Sequence, residues 1–113
     1  MSISKNHTFF DQVTVATVGT EMMVPGVVSP LASVTVAFSG SASARTIAFQ
    51  GKGEVGGYTA IVAKNLATGI SASQTTGVTP EIWQIPLMGL DYIRCNLLSM
   101  ASGSMTGIGK VVV

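Results

Sequence analysis

A chain of 113 residues is the size of one ordinary domain and long enough to enclose a single core without staples. Charged residues make up 10% of it, against about 25% in a typical soluble domain, while the apolar share stays ordinary at 47%, so the deficit falls on the surface. Six Lys and Arg against five Asp and Glu leave a formal charge of +1 with no block of either sign, which excludes an electrostatic footprint for nucleic acid.

The single cysteine, Cys95, cannot form an intramolecular disulfide, so cytosolic synthesis is the simple expectation. The start, MSISKNHTFFDQ, lacks the apolar segment of a signal peptide. Pro25, Pro30 and the glycines break every apolar run well short of the roughly 18 residues of a membrane span. No membrane association is expected.

Residues 1–10 hold no sustained period and end in Phe9-Phe10, which reads as an extended N-terminal arm with an aromatic anchor, and Met1 to Ser4, with little to hold themselves, are expected to be ordered by a neighbouring subunit. The β domain then covers residues 11–113, and removal of the arm is expected to leave it folded. From Asp11 the run QVTVATV alternates, placing Val13 and Val15 on one face. Glu21 to Pro30 is apolar but carries two prolines, which predicts an edge or bent strand. Ser33 to Phe38 is the cleanest alternation, with Val34, Val36 and Phe38 inward, and Arg45 to Gln50 alternates through Ile47 and Phe49; the turn between them predicts a hairpin.

A strand is predicted from Tyr58 to Ala63, followed by a polar surface crossing over Ser71 to Thr79. In Ile82 to Leu87 the residues Trp83, Ile85 and Leu87 share a face, and in Tyr92 to Leu98 the residues Ile93, Cys95 and Leu97 do. A last run, Met105 to Val113, contains Ile108 and a valine tail and is expected to pair with the strand before it. No stretch repeats apolar residues at helical spacing over three turns. About eight short strands divided by Gly and Ser turns predict an all-β, single-domain antiparallel β-sandwich of jelly-roll-like form, with an immunoglobulin-like topology as the alternative.

Gly51-Lys52-Gly53-Glu54-Val55-Gly56 matches the dinucleotide fingerprint in letters, but Tyr58 to Val62 follows as a strand former rather than a helix, so the segment reads as a loop. His7 is the one histidine and has no second ligand beside it. Cys95 shares the inward face with Ile93 and Leu97, where cysteine acts as a small hydrophobe. The carboxylates are never paired at short spacing, so no acid–base couple, metal site or cofactor site is expected and the chain does not read as an enzyme. Asn6-His7-Thr8 is a sequon by pattern only. Tyr58, Trp83 and Tyr92 could form an aromatic platform for a sugar, yet Trp83 sits on the core face by periodicity, so sugar binding is not favoured. Tyr92, Arg94 and Asn96 alternate with the inward residues and point outward. Arg94 is read equally as a solvated cross-strand partner or as an interface contact, where Arg and Tyr are enriched. With His7, Phe9 and Phe10 of the arm, these three are the expected partner contacts.

The order from FQGK through a Gly-Gly-Tyr turn, KNLATG, a Ser/Thr-rich crossing, DYIRCNL and a closing SGSMTGIGKVVV resembles small β-sandwich virion proteins of tailed bacteriophages, over residues 31–113. The resemblance implies a capsid cement or decoration protein on the phage head, made in the host cytoplasm, with the major capsid protein or other virion subunits and further copies of itself as partners. The alternative it implies is a tail, baseplate or head-fibre accessory that binds carbohydrate on the host.

Overall fold

Period-2 alternation leaves each strand with one apolar face, and the chain buries these faces by stacking two sheets. The computed structural model describes residues 4–24, 33–42, 44–75, 81–87 and 89–112. It is all β: β1 (Ser4–Val13), β2 (Thr17–Val18), β3 (Met22–Met23), β4 (Ser33–Gly40), β5 (Arg45–Lys52), β6 (Thr59–Ala60), β7 (Ala63–Asn65), β8 (Ser71–Ala72), β9 (Glu81–Pro86), β10 (Tyr92–Met100) and β11 (Met105–Val112). A six-stranded sheet runs β1-β11-β4-β9-β7-β8, a second runs β2-β10-β5-β6, and β3 also pairs with β10; every pairing is antiparallel. This is the expected single-domain antiparallel β-sandwich.

The inward residues are those the alternation marks. Val34, Val36, Phe38, Ile47, Phe49, Trp83, Ile85, Leu87, Ile93, Cys95 and Leu97 are all buried. Phe49 stands at the centre, with ring centroids 6.3 Å from Phe38 and 5.1 Å from Trp83. Burial of a thiol in this apolar setting disfavours the thiolate and pushes the Cys95 pKa up.

The pairings differ from those expected. β4 and β5 are not a hairpin, because β4 lies in the first sheet and β5 in the second. β11 pairs with β4 and β1 rather than with β10. Each turn swings the chain across the core, since two consecutive apolar-faced strands can cover one another across the sandwich as well as pair side by side. Val15 lies outside the predicted inward face and is exposed, because β1 ends at Val13.

The N-terminal arm is likewise part of the sandwich. β1 runs through the expected boundary at residue 10 and pairs with β11 from Ser4↔Val112 to Val13↔Met105. The register slips between Thr8↔Ile108 and Phe10↔Gly107, so Phe9 and Phe10 together oppose one residue, a β-bulge. That bulge turns both rings inward, and each is only 2% exposed. Space for them comes from glycine: a Cβ at Gly109 would stand 2.7 Å from Phe9 Cε2 and 2.8 Å from Val34 Cγ2, and one at Gly107 2.9 Å from the Phe38 ring. A second slip follows, where Gln12 adopts φ 50° and its N–H donates to Thr106 Oγ1 at 3.1 Å. Phe9 and Phe10 are therefore core residues of their own chain, and Ser4, the last residue of the segment expected to be held by a neighbouring subunit, pairs with Val112 of the same chain. Residues 1–3 fall outside the described part, as do residues 25–30 of the proline-bearing stretch and residues 76–79 of the surface crossing.

Segments passing between the sheets close both sides. Thr20 N donates to Phe9 O in the first sheet at 3.1 Å, while Gly19 N donates to Cys95 O in the second at 2.8 Å. On the far side Phe49 N donates to Ser73 O at 3.0 Å and Thr75 N to Ile47 O at 2.9 Å. At one end Arg45 and Glu81 bridge the sheets from inside, Nη2 to Oε1 at 3.9 Å, with Trp83 Nε1 donating to Glu81 Oε2 at 3.1 Å. Both follow from parity, since Arg45 alternates in phase with Ile47 and Glu81 in phase with Trp83.

Candidate functional site

Two outward faces present organised side chains. On the second sheet β10 turns out Tyr92, Arg94 and Asn96, and β5 turns out Ala48, Gln50 and Lys52, paired as Tyr92↔Lys52, Arg94↔Gln50 and Asn96↔Ala48. The expected line of Tyr92, Arg94 and Asn96 is present, each half-buried. Residues outside that expectation complete it. Arg94 Nε donates to Gln50 Oε1 at 2.7 Å, and its guanidinium carbon lies 3.9 Å from the centroid of the Tyr58 ring. The Lys52 ammonium sits between two rings, 5.2 Å from the Tyr58 centroid and 4.9 Å from that of Tyr92. Tyr58 enters from just before β6 and Glu21 from just before β3, at opposite edges of the sheet, and the Tyr58 hydroxyl donates to Glu21 Oε2 above β10 and β5. Partial burial, then the hydrogen bond to Glu21 and its charge, push the Tyr58 phenol up, so at neutral pH it remains a donor.

Two acceptors on this face are taken, while most of its donors are not. Gln50 Oε1 is taken by Arg94 and one Glu21 oxygen by Tyr58. Among the described residues no acceptor is paired with the Lys52 ammonium, the terminal nitrogens of Arg94, or the amide groups of Gln50 and Asn96. Outward parity could have identified Gln50 and Lys52, which alternate with Phe49, but joining them to Arg94 and Tyr92 needed the β5–β10 register.

The six-stranded sheet has a different outer face. The row Thr8↔Ile108↔Ala37↔Ile82 crosses four strands, and Leu66 N donates to Ile82 O at the end of the row. Ile108, Ile82 and Leu66 are 45%, 47% and 46% exposed. The adjacent row reads Asn6↔Lys110↔Thr35↔Gln84↔Lys64, whose only charges are two lysines.

The other expected contacts lie elsewhere. His7 is half-buried, its Nε2 donating to Thr20 O at 3.0 Å and its ring edge-on to Phe9 at 4.6 Å between centroids. It braces the crossing segment. Trp83 is 4% exposed and cannot serve a sugar platform. Among the described residues no group of three or more His, Cys, Asp or Glu is placed to hold a metal ion, and no helix is long and apolar enough to cross a membrane.

Solved structures share this architecture. The SPBc2 prophage-derived protein YomS is 27% identical with a TM-score of 0.87, over 100% of this chain and 96% of YomS. The PBSX exported protein XepA shares the fold at 22% identity and a TM-score of 0.88, over 99% of this chain and 38% of XepA, so this chain spans well under half of that protein. No curated protein sequence matches it. Together with the fold, these likenesses define a phage-derived β-sandwich protein. The chain belongs to the XepA family, whose model matches residues 4–111.

Proposed function

We propose that this chain is a non-enzymatic phage structural protein that acts as capsid cement on the head surface, in several copies, by seating the outer face of its six-stranded sheet on the major capsid protein. The observation that carries the reading is the exposed Ile108–Ala37–Ile82–Leu66 row, an apolar band without a carboxylate in it, with Lys110 and Lys64 in the adjacent row. A stable contact buries about 800 Å² per partner, with an apolar centre and a polar rim, and this face has that anatomy. At about 25 cal/mol per Å² of apolar area a modest contact becomes decisive when repeated over a lattice. The description of XepA as exported agrees with work outside the cell, as on a released particle.

Co-sedimentation with phage heads tests the reading. The wild-type chain should travel with the heads, and a variant carrying Ile82→Glu and Ile108→Glu should lose at least about tenfold in occupancy, because each carboxylate would be desolvated in the contact. Full occupancy by that variant would exclude this face. A second reading, a tail, baseplate or head-fibre accessory that binds carbohydrate, is supported by the Tyr58–Tyr92 face of the other sheet.

A further inference from the structure

We infer that the outer face of the second sheet is a binding site for an acidic glycan, a sugar chain bearing carboxylate or phosphate groups; this rests on the second reading above and gives its site a ligand class. Three observations converge on it. First, the face is rich in unpaired donors: Lys52 Nζ, the Arg94 terminal nitrogens and the Gln50 and Asn96 amides all lack an acceptor among the described residues. A ligand that supplies acceptors and no competing donors satisfies it best, and a carboxylate or phosphate is such a group.

Second, the two cations are held in place before any ligand arrives. Lys52 is confined between the rings of Tyr58 and Tyr92, and Arg94 is fixed by Gln50 below and Tyr58 above. Ordering these long side chains in advance removes an entropic cost from binding. Third, Tyr58 itself is tied down through Glu21, so the half-buried Tyr58 and Tyr92 rings are set beside the fixed charges, where an aromatic ring edge or outer face can meet the C–H groups of a sugar. One oxygen of the Glu21 carboxylate is engaged by that tie. Asp91 and Glu54 are exposed in the loops at the Lys52 end of the strands, so an anionic group is placed toward Arg94 and Asn96 rather than over the loops. An acidic protein partner would meet the same cations, but two tyrosine rings stand beside them, and an aromatic ring packs well on the C–H face of a sugar, which favours a sugar.

Calorimetry with the intact chain distinguishes the outcomes. The probes are oligogalacturonate, its methyl-esterified neutral counterpart, a polymer of glycosyl phosphates, inorganic phosphate and phosphatidylglycerol vesicles. The inference expects binding of oligogalacturonate or the glycosyl phosphate polymer that weakens with salt and falls at least about tenfold in Lys52→Gln and in Arg94→Gln, since each removes a charge-assisted hydrogen bond. Tyr92→Ala should weaken it too, while Ile82→Glu on the opposite face should not. Equal binding of the esterified chain would overturn the acidic ligand class but keep the sugar reading. Binding of no glycan, of inorganic phosphate alone, or of the vesicles in preference to either acidic glycan would overturn both.

Discussion

The outer face of the six-stranded sheet sets Ile108, Ala37 and Ile82 in one row with lysines only in the next, whereas the outer face of the second sheet sets Lys52 and Arg94 among Tyr58, Tyr92 and Gln50. Both faces come from the same strand alternation over one shared core. They differ in what the outward positions hold, and hence in what they can recognise. The first offers exposed apolar area, which suits a broad protein contact. On the second, directional donors are fixed at definite points, which suits a ligand with acceptors to match. A chain with only 10% charged residues gains from this division, because two of its six cations stand side by side on one face instead of being spread thinly.

The comparison breaks first at the seam beneath the apolar face. Phe10→Ala should cost about 3–5 kcal/mol in urea unfolding, because its ring fills the space that Gly107 leaves open. Deleting residues 1–10 should cost more, and the loss should remove both faces together. Next comes Gly109→Val, whose side chain would meet Phe9 and Val34; it should destabilise by about 1–3 kcal/mol, while Gly57→Ala, where a Cβ meets nothing within 4 Å, should stay within about 0.5 kcal/mol.

How much of this was legible in the sequence depends on the kind of information. Period-2 alternation identified the inward residues of β4, β5, β9 and β10, since a half-buried strand has no other way to place them. It could not say which sheet a strand joins, so the β4–β5 and β10–β11 pairings were misread. The aromatic pair Phe9-Phe10 defeats the rule outright, because only a bulge turns two successive residues inward. Gly107 and Gly109 misdirect in the same way: they line the core while the apolar Ile108 between them faces out, since packing there needs the absence of a side chain. Arg45 and Glu81 lie in phase with the inward Ile47 and Trp83, but charge argues for the outside, so alternation alone did not place them in the core. On the candidate face, Tyr92, Arg94 and Asn96 were legible, whereas Tyr58, Lys52 and Glu21 join them only through long-range register.

Smaller effects sharpen the contrast between the faces. Tyr58→Phe removes the tie to Glu21 and should cost about 0.5–1.5 kcal/mol at most, yet loosen Lys52 and Arg94 enough to broaden their side-chain NMR signals, with no change at Ile82 or Ile108. Iodoacetamide should leave native Cys95 unmodified and alkylate it once urea unfolds the chain, because burial keeps the thiol protonated and out of reach. The smallest stability effect belongs to Ile82→Glu with Ile108→Glu: both positions are open to water in the free chain, so unfolding should shift by no more than about 0.5 kcal/mol per site.

That near-neutral pair allows the most direct measurement, occupancy on phage heads by quantitative co-sedimentation for three proteins. The account predicts that the wild-type chain and a Lys52→Gln, Arg94→Gln variant bind heads alike, while the equally stable Ile82→Glu, Ile108→Glu variant does not. Retention of the glutamate variant together with loss of the Lys52 and Arg94 variant would contradict it.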